Sequence, residues 1–211
     1  MAKIRERNRE LIIQAASEIF AAQGYAATKT IDIAEHAGLP KANVYYYFKS
    51  KKNLYRSVIE SVIDPLLQAA TPFYQDDDPA TVLEQYIRAK IRVSQQHPHA
   101  SKVFASEIMH GAPHLPDDIA EQMMEQTRVS SDKIQSWIDR ELMDPVDPHH
   151  LLFTIWASTQ TYADFDWQIT RVTGKKKMSQ RDYDIAAEQL IQLILKGCGV
   201  QALVTHALRK A

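Results

Sequence analysis

The chain has 211 residues, 45% of them hydrophobic and 24% charged, with a net charge of −1 at pH 7. That length can bury one or two cores, and the balance excludes a disordered or fibrous protein. No apolar run approaches the ~20 residues a membrane helix needs, and the basic N-terminus is not followed by a secretory leader. The single Cys198 excludes an internal disulfide framework, so a reducing, cytoplasmic setting is expected.

Helical periodicity runs through the chain and strand alternation is nearly absent. In the first predicted helix Ile12, Ala16, Ile19 and Phe20 recur at i, i+4, i+7 and i+8, and Gly24 closes it. A short second helix follows, with Thr28 as expected N-cap and Ile31, Ala34 and Ala37 on one face. Gly38-Leu39-Pro40 is a tight turn. The third helix is brief, Lys41 to about Phe48, with Val44 and Phe48 inward, and Ser50 caps a fourth running towards Phe73. Asp76-Asp77-Asp78-Pro79 starts another helix, because carboxylates before a proline at the first helical position suit the dipole. Helices are then expected over 79–97, 99–110, 117–142, 149–172 and 180–207, with Asp147 capping the fourth of these. The sum is nine helices, three of them in an N-terminal head.

Charge is unevenly divided. Residues 1–56 hold ten lysines and arginines against five carboxylates, which leaves fifteen against twenty-one from the totals of 25 and 26. A basic head on an acidic body suits a protein that presents one end to a polyanion. Helix, glycine turn and short helix is the geometry that lets a second helix enter the major groove while the first braces it. The third helix presents Lys41, Ala42, Asn43, Tyr45, Tyr46 and Tyr47, followed by Lys49, Lys51 and Lys52. Asn can pair with adenine and Lys with guanine, while tyrosine hydroxyls and the later lysines suit phosphate. Lys3, Arg5, Arg7 and Arg9 could add backbone contacts.

The stretch from Thr30-Ile31-Asp32-Ile33-Ala34 through Gly38-Leu39-Pro40-Lys41-Ala42-Asn43-Val44-Tyr45-Tyr46-Tyr47-Phe48 to Lys49-Ser50-Lys51-Lys52-Asn53-Leu54 resembles the DNA-binding signature of the TetR family. The resemblance implies a homodimer of all-α subunits that binds double-stranded operator DNA and releases it when a small molecule enters the C-terminal domain. It implies that Lys41, Ala42, Asn43 and Tyr45 face bases and that Thr28, Tyr47 and Lys51 face phosphate. Pro40 stands where the family often has a serine, and Asn53 where a glutamate would complete a capping box with Ser50. The expected division is a three-helix helix-turn-helix domain over 1–50 and a six-helix ligand-binding and dimerisation domain over 51–211.

In the body, the last helix carries Leu190, Leu193, Ile194 and Gly197 on one face and Ile191, Leu195 and Cys198 on the next. That arc is wider than one core needs, so it fits a dimer seam as well as a larger monomeric core. Trp156-Ala157-Ser158-Thr159-Gln160 places a flat ring and a carboxamide at i and i+4, which suits a planar, hydrogen-bonding ligand and equally an internally satisfied core helix. The segments 85–90, 97–101, 107–113 and 156–165 resemble the pyrimidine-utilisation regulators of the same family, whose matching residues imply Trp156 and Gln160 as ligand contacts. Uracil or thymine is the effector this implies. Leu66 and Glu84 depart from that pattern, standing where a tryptophan and a lysine are expected.

Glu107-Ile108-Met109-His110 spells one Glu-x-x-His, but a carboxylate-bundle metal enzyme wants two such motifs and two further glutamates. Asp147-Pro148-His149-His150 sits at a helix start, Cys198 and His206 lack partners, and no phosphate-binding glycine loop is present. A ligand-free interaction module would share the same helical pattern. No catalytic residue, cofactor or metal is expected.

Overall fold

The computed structural model describes residues 2–200; the expected last-helix residues beyond 200, His206 among them, lie outside the described residues. The described chain is all helix and turn, without a strand, in eleven helical segments. They are α1 (Ala2–Ala27), α2 (Thr30–His36), α3 (Lys41–Phe48), α4 (Lys51–Ala69), α5 (Pro72–Gln75), α6 (Pro79–Gln96), α7 (Pro98–Met109), α8 (Asp117–Asp139), α9 (Pro148–Asp164), α10 (Asp166–Thr173) and α11 (Gln180–Gly197). No helix among the described residues is long and apolar enough to cross a membrane.

The chain forms two compact units, one of residues 1–65 with 97–120 and one of 66–96 with 121–211. In the first, α1 packs on α7 and α2, and α2 on α3. Ile12, Ala16, Phe20, Ile33, Ala34, Val44, Phe48, Leu54 and Val58 are among its buried side chains on α1 to α4. Gly24 (φ 75°, ψ 168°) breaks α1, as its position in the sequence led one to expect, and a last turn follows the kink. The inward face of α2 differs from expectation: Ile33 and Ala34 are buried and Ile31 is exposed. Two turns of helix hold too few residues for a period to be read securely.

The expected N-cap at Thr28 is also corrected. Lys29 occupies the cap position, and the Thr28 hydroxyl instead donates to the carbonyl of Gly24 at 2.8 Å. That hydroxyl closes the end of α1 rather than opening α2. Ser50 does cap α4, accepting the N–H of Asn53 at 3.1 Å. Pro65 sits inside α4, where its ring costs one helical hydrogen bond.

The second unit has one core, in which α6 packs on α9, α11 and α5. Phe73, Leu83, Tyr86, Ile134, Trp137, Leu152, Ile155, Ile191 and Leu195 lie within it. Two of the expected long helices are divided. The fourth ends at Ala69, and Pro72 opens the one-turn α5, a position where its missing N–H costs nothing. The helix expected over 149–172 breaks at Phe165 (φ −113°, ψ 30°), after which Asp166 starts α10 with a carboxylate in its first turn. The punctuation read from sequence recurs in the hydrogen bonds. Asp78 accepts the N–H of Thr81 at 2.8 Å, and Asp147 that of His150 at 2.9 Å. Ser179 and Asp182 form a reciprocal capping box on α11. Asp77, next to the first of these signals, bridges Lys133 Nζ on α8 and Arg140 Nη2 just past its end, both at 2.7 Å. The two cations hold its carboxyl well below the usual range, Arg140 contributing most.

Candidate nucleic-acid interface and effector site

The reading head is built by burying one side of α3. Val44 and Phe48 point into the first unit's core, so Lys41, Ala42, Tyr45 and Tyr46 must face solvent. Asn43 and Tyr47 lie half-buried on the flank. Tyr45 and Tyr46 are 45% and 57% exposed, a large apolar area for a short surface helix. Cations surround these rings. Lys41 Nζ lies 5.7 Å from the Tyr45 ring, Lys49 Nζ 5.6 Å and Arg5 Cζ 5.8 Å from Tyr46, and Arg9 Cζ 5.6 Å from Phe48. The Tyr45 hydroxyl meets Thr30 Oγ1 at 3.2 Å, joining α3 to α2. Tyr46, whose hydroxyl suits phosphate as its neighbours' do, carries two of these cations on its ring.

Thr28 and Lys51, expected at the phosphates, have partners inside the protein. Thr28 is buried. Lys51 Nζ donates to the carbonyls of Tyr25 at 2.8 Å, Ala26 at 3.3 Å and Thr28 at 3.0 Å, and lies 4.6 Å from the Tyr25 ring. All three ammonium protons thus serve the C-terminal carbonyls of α1, where a cation also complements the dipole. Lys51→Met keeps the stem and removes the charge. It is expected to lower the unfolding free energy by ~1.5–3 kcal/mol, the range for hydrogen bonds to a charged group. A urea titration that shows wild-type stability would rule out this capping role.

Behind the head, Glu107 of α7 is a buried carboxylate with three donors. Tyr55 Oη donates to it at 3.0 Å, the His114 N–H at 2.5 Å, and His114 Nδ1 lies 3.3 Å away. Rings close around it, Tyr25 to Tyr55 at 4.7 Å and Tyr25 to His114 at 4.5 Å. Burial and the carboxylate together push the Tyr55 phenol well above its ordinary pKa, burial contributing most. Glu107 therefore fastens the loop after α7 to α4. His110 turns instead to the Ser106 carbonyl at 2.7 Å. Among the described residues no group of three or more His, Cys, Asp or Glu is placed to hold a metal ion.

In the second unit Trp156 and Gln160 lie on one half-buried flank of α9. Trp156 Nε1 donates to Tyr86 Oη of α6 at 2.7 Å, and its ring lies 5.4 Å from that of Phe153. Gln160 Nε2 donates to Asp164 Oδ1 at 3.0 Å, one turn further on. Trp156 also lines a cleft of about 400 Å³ with Met123, Met124, Thr127, Ser131 and His149. Of the two departures from the pyrimidine pattern, Glu84 is engaged with Arg88 at 2.8 Å, and Arg88 in turn with Glu188. Leu66 is half-buried.

A brace helix, a glycine turn at Gly38 (φ 64°) and a short exposed helix ringed by cations define a helix-turn-helix DNA-binding protein. Comparison with known proteins names the group. Residues 12–58 match the family described as bacterial regulatory proteins, tetR family, and residues 59–201 match the C-terminal region of YcdC-like proteins. The chain belongs to the TetR family of transcriptional regulators, whose members respond to ligands, bind operator DNA and act as dimers. It is 36% identical over 189 residues to the transcriptional regulator RutR of Escherichia coli K12, covering 90% of this chain and 89% of that one. Its fold is similar to that of the ketosteroid transcriptional regulator KstR2 of Mycobacterium tuberculosis, with a TM-score of 0.75 at 18% identity over 90% and 94% of the chains. It is also similar to AibR, solved in complex with isovaleryl coenzyme A and operator DNA, with a TM-score of 0.67 at 15% identity over 88% and 97%. These relatives are regulators, not enzymes.

Proposed function

We propose that this regulator binds a palindromic operator as a homodimer, represses the genes beside it, and is released by a small planar metabolite. The observation that carries the DNA half is the exposed face of α3, where cations flank Tyr45 and Tyr46. Lys41, Ala42, Asn43 and Tyr45 read base edges; Tyr47, Thr28 and Lys51 serve the phosphates, the last two through the α1 end that they hold together. Residues 1–50 are the DNA-binding domain and 51–211 the sensing and dimerising one. Phe153 of α9 and Ile185 and Leu193 of α11 are 48%, 51% and 69% exposed and supply the apolar seam of a two-fold dimer. The protein acts in the cytoplasm, where operator DNA is met.

Trp156 and Gln160 contact the effector, and resemblance to pyrimidine-utilisation regulators makes uracil and thymine the first compounds to test. AibR, a protein of the same fold caught with both a metabolite derivative and operator DNA, supports one chain serving both ligands. Operator affinity for the DNA flanking its own gene should fall ~10³- to 10⁵-fold between 50 and 200 mM salt, as for six to ten phosphate contacts. An electrophoretic shift that is absent at low salt rejects the reading. For the effector half, Trp156→Ala and Gln160→Ala should each abolish release by a compound that frees the wild type. Unchanged release in both moves the site elsewhere.

A further inference from the structure

The chain leaves α3 through a strained bend. Lys49 has φ 63° and ψ −34°, and the Ser50 N–H donates to the Phe48 carbonyl at 2.7 Å, which closes a three-residue γ-turn with positive φ at its centre. That kind of γ-turn is the rarer one, and it costs energy in any residue that carries a β-carbon. Glycine adopts positive φ without that cost, and five of the six glycines in this chain do so. Among the described residues Ala112 and Glu141 are the other non-glycine positions with positive φ. Both lie at helix ends, where the Ala112 N–H reaches the Glu107 carbonyl and the Leu142 N–H the Trp137 carbonyl, each at 2.8 Å. Between buried Phe48 and the Ser50 cap of α4 the fold requires a bend, but it does not require a lysine in it.

Strain of this sort persists where the residue serves something beyond the fold. Lys49 is exposed, and among the described residues its ammonium has no ion pair or hydrogen bond; what it meets is the Tyr46 ring at 5.6 Å. Arg5, also exposed, stands 5.8 Å from the same ring, so one tyrosine gathers two cations at the edge of the reading face. Like charges held together repel, and an anion laid against them turns that repulsion into attraction. Lys51, two residues on, is the cation that family position puts at the phosphates. Its three protons already serve the carbonyls of Tyr25, Ala26 and Thr28. Of these two lysines, Lys49 is the one whose ammonium is available to a phosphate oxygen.

We propose that Lys49 is a direct phosphate anchor of the operator complex, held in a strained turn so that its ammonium stands on the Tyr46 ring beside the reading helix. The proposal rests on the reading of α3 as the DNA-binding helix. Its test is fluorescence anisotropy of the full-length protein over a salt series, on a duplex from the DNA flanking its own gene and on a scrambled duplex. Lys49→Ala and Lys49→Gly should each weaken both duplexes by the same factor, ~2- to 30-fold, as for an exposed ion pair lost on both subunits. Each should also lower the salt slope by about 2, one phosphate contact per subunit. Thermal unfolding should separate the two variants: Lys49→Gly should melt ~2–4 °C above Lys49→Ala, because glycine alone relieves the bend. Tyr46→Phe should keep the wild-type slope and Tyr46→Leu should flatten it, because only leucine removes the ring that positions the ammonium. A wild-type slope in both Lys49 variants or in Tyr46→Leu overturns the proposal and leaves α3 as the DNA-binding helix. So does a loss confined to the flanking duplex, or equal stability of the glycine and alanine variants. If the wild type retains neither duplex at low salt, the DNA reading itself falls and this proposal with it.

Discussion

Replacing Asn43 with alanine is expected to weaken operator binding at least ~30-fold. Each good bidentate base contact discriminates by ~1–3 kcal/mol, and a two-fold dimer loses it twice, so even the lower bound doubles to ~2 kcal/mol. Asn43 sits in the first turn of α3, half-buried on the flank beside exposed Lys41 and Ala42. The pattern of loss matters as much as its size. Asn43→Ala should relax selectivity at one base pair of each half-site. Tyr47→Phe should weaken all sequences alike and leave the salt slope unchanged, because a neutral hydroxyl displaces no counterion. Fluorescence anisotropy against single-base operator variants reads both. A uniform loss for Asn43→Ala would assign that side chain to the sugar-phosphate backbone.

Glu107→Leu should lower the unfolding free energy by ~3–5 kcal/mol. The substitution leaves the buried Tyr55 hydroxyl and the half-buried His114 N–H without their acceptor, and such orphaned groups cost ~1–3 kcal/mol each. Glu107 is 3% exposed, so water cannot take its place. Glu107→Gln keeps an acceptor and should recover much of the loss, while Tyr55→Phe removes a single donor and should cost ~1 kcal/mol. Urea unfolding monitored by circular dichroism separates the three. Leucine tolerated within 1 kcal/mol would mean that the carboxylate does not hold the loop after α7 in place.

The elements that sequence rendered well are those whose boundaries depend on local chemistry. Asp78 before Pro79, Asp147 before Pro148 and Ser50 before Lys51 each supply a side-chain oxygen within three residues of the N–H it accepts. The inward faces of α1 and α3 were legible for the same reason: Ile12, Ala16, Phe20, Val44 and Phe48 repeat at helical spacing over a full turn or more. What escaped depends on distant partners. Lys51 reaches back to Tyr25, Ala26 and Thr28, more than twenty residues away, and its label as a phosphate contact came from its charge and its family position. Glu107 stands in a lone Glu-x-x-His that sequence already argues against as a metal site, but its donor Tyr55 lies fifty-two residues earlier and could not be read from that motif. Tyr86 gave no signal at all, because the bond it accepts from Trp156 Nε1 comes from a residue seventy positions on. The last helix, expected to run on to about 207, ends at Gly197, two residues before the left-handed Gly199 (φ 67°).

The brevity of α3 sets a limit of a different kind. Its eight residues span ~12 Å, bounded by Pro40 on one side and the left-handed Lys49 (φ 63°) on the other. At ~3.4 Å per base pair that is about three and a half pairs of DNA, or ~7 for two subunits. Seven fully specified pairs carry ~14 bits and recur by chance about once in 16,000 positions, whereas a genome offers ~10⁶ or more competitors. Two copies of this helix alone would leave dozens of decoy addresses for every true one. On the proposed reading that information comes from groups outside α3, with Arg5 and Arg9, held over Tyr46 and Phe48, among them.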